Sequence, residues 1–146
     1  MNWRLFAIGK PKLAFARSGI EEYADRLRQF APFEFDWLKT GSREAESKAL
    51  LERSEGFFRI CLDERGDQVT SRGLAERLGQ WEQSRTKTIA LLIGGADGHD
   101  ESVRRDSQWC WSLSKLTLQH ELALVVLLEQ IYRAYAIKAN LPYHRD

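Results

Sequence analysis

The sequence predicts an α/β fold with a mostly parallel sheet flanked by helices, on three observations. Short apolar runs closed by turn signals recur along the chain. Stretches with helical apolar spacing lie between them. One run, Thr88 to Ile93, is compact and β-rich enough to be the central strand. At 146 residues the chain is long enough for one core and short for two, so residues 1–146 are expected to form a single domain. It contains no internal repeat, low-complexity segment or linker.

Trp3 to Ile8 is a short apolar run closed by Gly9 and Pro11, which reads as a buried first strand. From Leu13 to Phe30, Phe15, Ile20, Tyr23, Leu27 and Phe30 recur at roughly helical spacing among charged residues, predicting an amphipathic helix. Phe33 to Leu38 alternates aromatic and acidic residues as a strand does, and Glu44 to Arg53 follows as a more polar helix. Phe57 to Leu62 is expected to be a strand and Asp63 to Asp67 a polar turn. A helix after Ser71 carries Leu74, Leu78 and Trp81 on one stripe and ends before Thr86. Beyond the central run, the pattern predicts a helix from Glu101 to Trp109, a strand end plus loop over Leu113 to Gln119, and a final helix from His120 to Asn140. Leu122 to Leu128 is apolar all round, more than one sheet face requires. Either an identical subunit covers its second side or the helix is buried within its own chain.

Composition removes several classes of function. No stretch approaches the ~20 apolar residues of a membrane span, and the start shows no export signal, so the cytoplasm is expected. Cys61 and Cys110 stand outside any metal-ligand spacing, which supports neither a metal nor a disulfide framework and leaves both as small buried apolar residues. A net charge of +1 argues against coating nucleic acid nonspecifically. An RNA partner would have to be met by a local patch, with Lys10, Lys12, Arg17, Arg104, Arg105 and the tail as candidates.

The chemistry-bearing segments crowd the last third. Gly94 and Gly95 follow the central strand, where glycine lets backbone N–H groups come close to a ligand. The spacing matches neither a dinucleotide fingerprint nor a P-loop, and a plain tight turn is the alternative. Ser114, Lys115, Leu116, Thr117, Leu118 and Gln119 form a second loop, able to sandwich an adenine between leucines or simply to connect. Glu129 and Arg133, one helical turn apart, are an exposed ion pair or a fixed charge facing the tail. The terminal Tyr143-His144-Arg145-Asp146 places an imidazole that titrates near neutrality beside an aromatic and a guanidinium. A disordered end is the other reading of it.

Taken in order, IGGADG, LSKLTL, LLEQIYRAY and the terminal PYHRD resemble the ribosomal large subunit methyltransferase H family of the SPOUT methyltransferases. The resemblance covers essentially the whole chain, vaguely between Lys39 and Arg53. It implies an α/β domain with a C-terminal trefoil knot, a homodimer, S-adenosylmethionine as donor, and methylation at N3 of a pseudouridine in a stem-loop of 23S ribosomal RNA. It also implies that Leu62, Gly95 and the Ser114 to Gln119 loop hold the cofactor, and that Arg133, Tyr143, His144 and Arg145 are catalytic or RNA-facing. On that footing His144 takes or relays the N3 proton, Arg145 or Arg133 stabilises charge on the flanking carbonyls, and Tyr143 stacks on the base. Two positions depart from the pattern: Gln119 replaces a proline, losing its fixed φ, and Leu124 replaces an arginine. Rival readings are 2′-O methylation of transfer RNA ribose and a ribosome-binding assembly factor without turnover.

Overall fold

The computed structural model describes residues 1–143. Strands and helices alternate along them: β1 (Asn2–Ile8), α1 (Ala14–Leu27), β2 (Phe33–Leu38), α2 (Arg43–Arg53), β3 (Phe58–Asp67), α3 (Ser71–Gln83), β4 (Thr88–Ile93), α4 (Glu101–Arg105), β5 (Trp109–Trp111) and α5 (His120–Lys138). The strands form one sheet in the order β2-β1-β4-β3-β5, and every pairing is parallel. Thr88–Ile93 is the middle strand, flanked by β1 and β3. Ile89, Ala90, Leu91 and Leu92 have no exposed surface, as expected of a strand covered on both faces.

The period of two along the strands separates two cores. Trp3, Leu5, Ile60, Ile89 and Leu91 face the side covered by α1, α3 and α5, whereas Phe6, Cys61, Ala90 and Leu92 face α2 and α4 with Leu50 and Val103. The first core is the larger and is rich in aromatic rings. Trp3 stacks with Phe33, meets Trp81 and Tyr135 edge-on, and donates its indole N–H to the Tyr135 hydroxyl at 2.7 Å. Gly19 lets α1 approach α5, because a Cβ there would lie 3.1 Å from Val125 Cγ1.

Three expectations are corrected. The segment Asp63 to Asp67 is part of β3: Leu62 and Asp67 both pair with Trp111, so the intervening residues bulge out and the strand then returns to the ladder. The helix after Glu101 ends at Arg105, and Trp109 lies in β5. Pairing outcompetes helix there: Gln108 N–H donates to the Arg59 carbonyl, its side-chain Oε1 accepts from Arg59 N–H, and Trp109 and Trp111 stack at 5.3 Å. The Leu113 to Gln119 segment contains no strand.

Much of α5 is buried within its own chain, which accounts for most of its apolar circumference. Leu124, Leu127, Leu128, Ile131, Tyr132 and Tyr135 are buried, and the helix packs against both α1 and α3. Leu124, where an arginine would fit the family pattern, is one of these core residues. What stays open is the corner where α1 and α5 begin. Glu121 Oε1 ties it together by accepting from the Lys12 and Leu13 N–H groups at 2.8 Å, and Leu13, Phe15 and Leu122 remain 40%, 55% and 37% exposed. No helix among the described residues is long and apolar enough to cross a membrane.

Candidate functional site

The C-terminal ends of β3, β4 and β5 open into a cavity of about 1140 Å³, at the end of a parallel sheet where α/β proteins take their ligands. Its walls come from the β3 bulge, the 93–101 turn, the 111–118 loop and the first residues of α5, with Arg43 at the rim. Leu62, Gly94, Gly95, Ser114, Lys115, Leu116, Thr117 and Leu118 all line it. Gln119 does not. It is the N-cap of α5, its Oε1 accepting from the Glu121 and Leu122 N–H groups at 2.9 Å. Its φ of −58° is the angle a proline would impose, so the loop keeps that conformation and gains a cap.

The glycine turn is built for close approach, partly to the protein itself. A Cβ on Gly95 would fall 2.7 Å from Glu46 Oε1. That carboxylate is 7% exposed and accepts Gly41 N–H at 3.0 Å. Gly98 closes the turn by donating its N–H to the Gly95 carbonyl, at a φ of +73° that glycine adopts without strain. The opposite loop is pinned more lightly: Ser114 Oγ accepts Leu116 N–H at 2.9 Å, while Leu116 itself is 76% exposed.

Below the turn lies a polar floor that spacing in the sequence did not reveal. Asp63 and Arg104 pair at 3.2 Å with side chains 9% and 21% exposed, and Arg104 also donates to the His99 carbonyl at 3.1 Å. His99 is 5% exposed, and its Nε2 bonds the Leu92 carbonyl at 3.1 Å. Burial pushes its pKa down and favours the neutral ring, in which Nε2 carries the proton and Nδ1 is a buried acceptor without a partner among the described residues. His120 Nε2, on another residue lining the cavity, likewise has no partner among the described residues. Asp63 could have been found as the acidic residue ending a strand at the ligand edge; His99 gave no signal.

A second cluster sits further along α5. Glu129 Oε2 accepts from Arg133 Nη2 at 2.7 Å and Nε at 3.1 Å, and from the Tyr143 hydroxyl at 2.7 Å. Tyr23 contributes its own hydroxyl, 3.1 Å from that of Tyr143. Arg133 and Glu129 are 23% and 18% exposed, so the pair is partly buried, and it meets Tyr143. Burial, then the bonds to Tyr23 and Glu129, push Tyr143 ionisation well above its ordinary range. The Tyr143 ring meets Tyr132 edge-on at 4.8 Å, with the Arg133 and Arg26 guanidiniums 5.1 and 5.8 Å from its centroid. Its surroundings are those of an anchored side chain more than of a free stacking platform. His144 and Arg145 lie outside the described residues. Neither Arg133 nor Tyr143 lines the cavity; Ala123, which does, is ten residues from Arg133, or ~15 Å along the helix.

A parallel α/β sheet with a glycine-lined cavity at its C-terminal strand ends places the molecule among proteins that bind ligands at that edge. The chain belongs to the SPOUT methyltransferase family: the family described as "Predicted SPOUT methyltransferase" matches residues 1–144. The chain is 47% identical over 145 residues to the ribosomal RNA large subunit methyltransferase H of Thermus thermophilus, and 41% identical to that of Deinococcus radiodurans, each match covering 99% of both chains. A probable methylase family protein from Haemophilus influenzae shares the fold, with a TM-score of 0.58 at 12% identity over 99% of this chain and 71% of the other. Among the described residues no group of three or more His, Cys, Asp or Glu is arranged to hold a metal.

Proposed function

We propose that this protein is an S-adenosylmethionine-dependent methyltransferase of large-subunit ribosomal RNA, acting at N3 of a pseudouridine in a stem-loop of the helix 69 type. The observation that carries the donor assignment is the cavity. It is large enough for a nucleoside joined to an amino acid. Its walls mix carboxylates (Asp63, Asp97, Asp100) with cations (Arg43, Arg104, Lys115), the pairing a zwitterionic sulfonium ligand requires. Two ring nitrogens supply hydrogen-bonding capacity that no group among the described residues uses. Near-full-length kinship to enzymes named for ribosomal RNA of the large subunit supports the substrate, and ribosomal RNA puts the work in the cytoplasm.

When bound, the donor supplies an electrophilic methyl group. The protein has to present a ring nitrogen that has lost its proton. Leu62, Gly94, Gly95 and the Ser114 to Leu118 loop hold the donor, and Gln119 sets the loop's exit into α5. Arg133 brings a positive charge already oriented by Glu129, suited to stabilising a developing anion on the base. Tyr143 stays protonated and donates to Glu129, so it positions the tail and is no base. Proton removal falls to His144, with Arg145 meeting the RNA.

The ~15 Å between cavity and tail cluster favours an active site shared between two copies. In this reading the exposed corner of Leu13, Phe15 and Leu122 is covered by a second subunit, and the C-terminus threads the trefoil knot. The test is methyl transfer to 70S ribosomes and isolated large subunits lacking the modification, with the product mapped by nucleoside mass spectrometry. His144→Ala and Arg145→Ala are assayed separately, with donor binding followed by calorimetry. Loss of turnover with donor binding intact is expected. A ribose 2′-O product, or no donor binding at all, would overturn the assignment.

A further inference from the structure

Cys61 and Cys110 are 49 residues apart in sequence, yet β3 and β5 place them directly opposite each other. In a parallel pair in register, both side chains stand on the same face, about 4.8 Å apart between strands. That spacing falls within the roughly 4.4–6.8 Å Cα separation that disulfides span. The sulfurs point at each other, the Cys61 thiol lying 2.8 Å from Cys110 Sγ. Both cysteines are free, Cys61 fully buried and Cys110 partly exposed on the edge strand.

We propose that Cys61 and Cys110 are an oxidisable dithiol site, closed to an intramolecular disulfide by a hydroperoxide. Cys110, the accessible partner, attacks a peroxide oxygen as thiolate. A new S–O bond forms, the O–O bond breaks, and the departing oxygen leaves as water after taking a proton. The Cys61 sulfur then attacks Cys110 sulfenic acid: the S–S bond forms, the S–O bond breaks, and a second water leaves with the Cys61 proton. In sum, two thiols are oxidised to a disulfide while one hydrogen peroxide is reduced to two waters. Burial, reinforced by the neighbouring thiol, raises the Cys61 pKa and disfavours it as the first target; as resolving partner it gives up its proton to the hydroxyl leaving Cys110 while the S–S bond forms.

The bond would be felt at the cavity. Leu62 and Trp111 are the next residues on each strand and both line it. β5 is three residues long and leads straight into the 112–119 loop. Gly66, in the β3 bulge, is packed so closely that a Cβ there would fall 2.5 Å from the Cys110 carbonyl, so any shift of Cys110 reaches the bulge as well. Closing the disulfide fastens the edge strand and changes how the loop docks.

The full-length protein is treated with hydrogen peroxide and then, in a matched sample, with dithiothreitol. Peptide mass mapping is expected to show a Cys61–Cys110 cross-link with loss of two hydrogens per chain, reversed by the reductant. Cys61→Ala should leave a dimedone-reactive sulfenic acid on Cys110, and Cys110→Ser should leave Cys61 unmodified. Hydrogen exchange across residues 111–119 should change on oxidation in wild type and not in either variant, a readout that needs no methyl donor. Wild-type thiols that stay free, over-oxidation of Cys110 without a cross-link, a cross-link between two copies, or unchanged exchange in the cross-linked protein would overturn the proposal. The wild-type mapping stands even if a variant misfolds.

Discussion

The two ends of α5 are built differently. At its N-terminus the cavity is walled by backbone and short loops: glycines, a serine turn, a cap from Gln119, and an exposed Leu116. Toward its C-terminus Glu129, Arg133, Tyr23 and Tyr143 form a cluster in which every hydroxyl and guanidinium has a partner within about hydrogen-bond distance. The first region has room and unspent hydrogen-bonding capacity; the second is satisfied and rigid. The contrast separates an open, ligand-sized cavity from a closed polar cluster about ten residues further along the same helix.

The largest effect expected tests that separation. Gly95→Val, which drives side-chain carbon into Glu46, should cut donor affinity at least ~100-fold by calorimetry, because the turn must move. Mixing it with Arg133→Ala, expected to be inactive alone, under conditions that let subunits exchange should restore roughly a quarter of wild-type turnover if the protein is a dimer whose sites each draw on both subunits. No recovery above either parent would assign both functions to a single chain. Next, Glu129→Gln keeps the shape and removes the charge that orients Arg133 and receives Tyr143; turnover should fall about 10- to 100-fold with donor affinity changed less than about twofold.

A smaller effect concerns the cavity floor. His99 has a lowered pKa in the fold, so below its unfolded value of about 6.5 the unfolded chain binds more protons and stability falls with acidification. The slope is at most ~1.4 kcal/mol per pH unit from this residue, between its unfolded and its lower folded pKa. Comparing denaturant midpoints of wild type and His99→Leu at pH 7 and pH 5 should show a shallower loss in the variant. The neighbouring Asp63, Asp100 and Arg104 stay in place in both. The smallest effect is Tyr135→Phe, which removes the acceptor for the buried Trp3 indole and should cost about 1–2 kcal/mol in chemical denaturation while leaving turnover unchanged.

The sequence by itself determined the alternation of strands and helices and the central place of Thr88–Ile93, because each follows from local patterning within a window of a few residues, whereas the Gly94–Gly95 turn and the Ser114 to Leu118 loop were joined into one site only by the family resemblance. It placed Trp109 in a helix and left Cys110 and Trp111 unassigned, because the hydrogen bonds to Arg59 and the packing of Trp109 against Trp81 are long-range terms that local periodicity does not contain. Only the tertiary structure decided that Asp63 pairs with Arg104 beneath the cavity, that Tyr143 joins the Glu129–Arg133 pair, and that Cys61 meets Cys110. Each joins groups brought together by strand register or helix packing, and register depends on how the whole sheet buries its two faces.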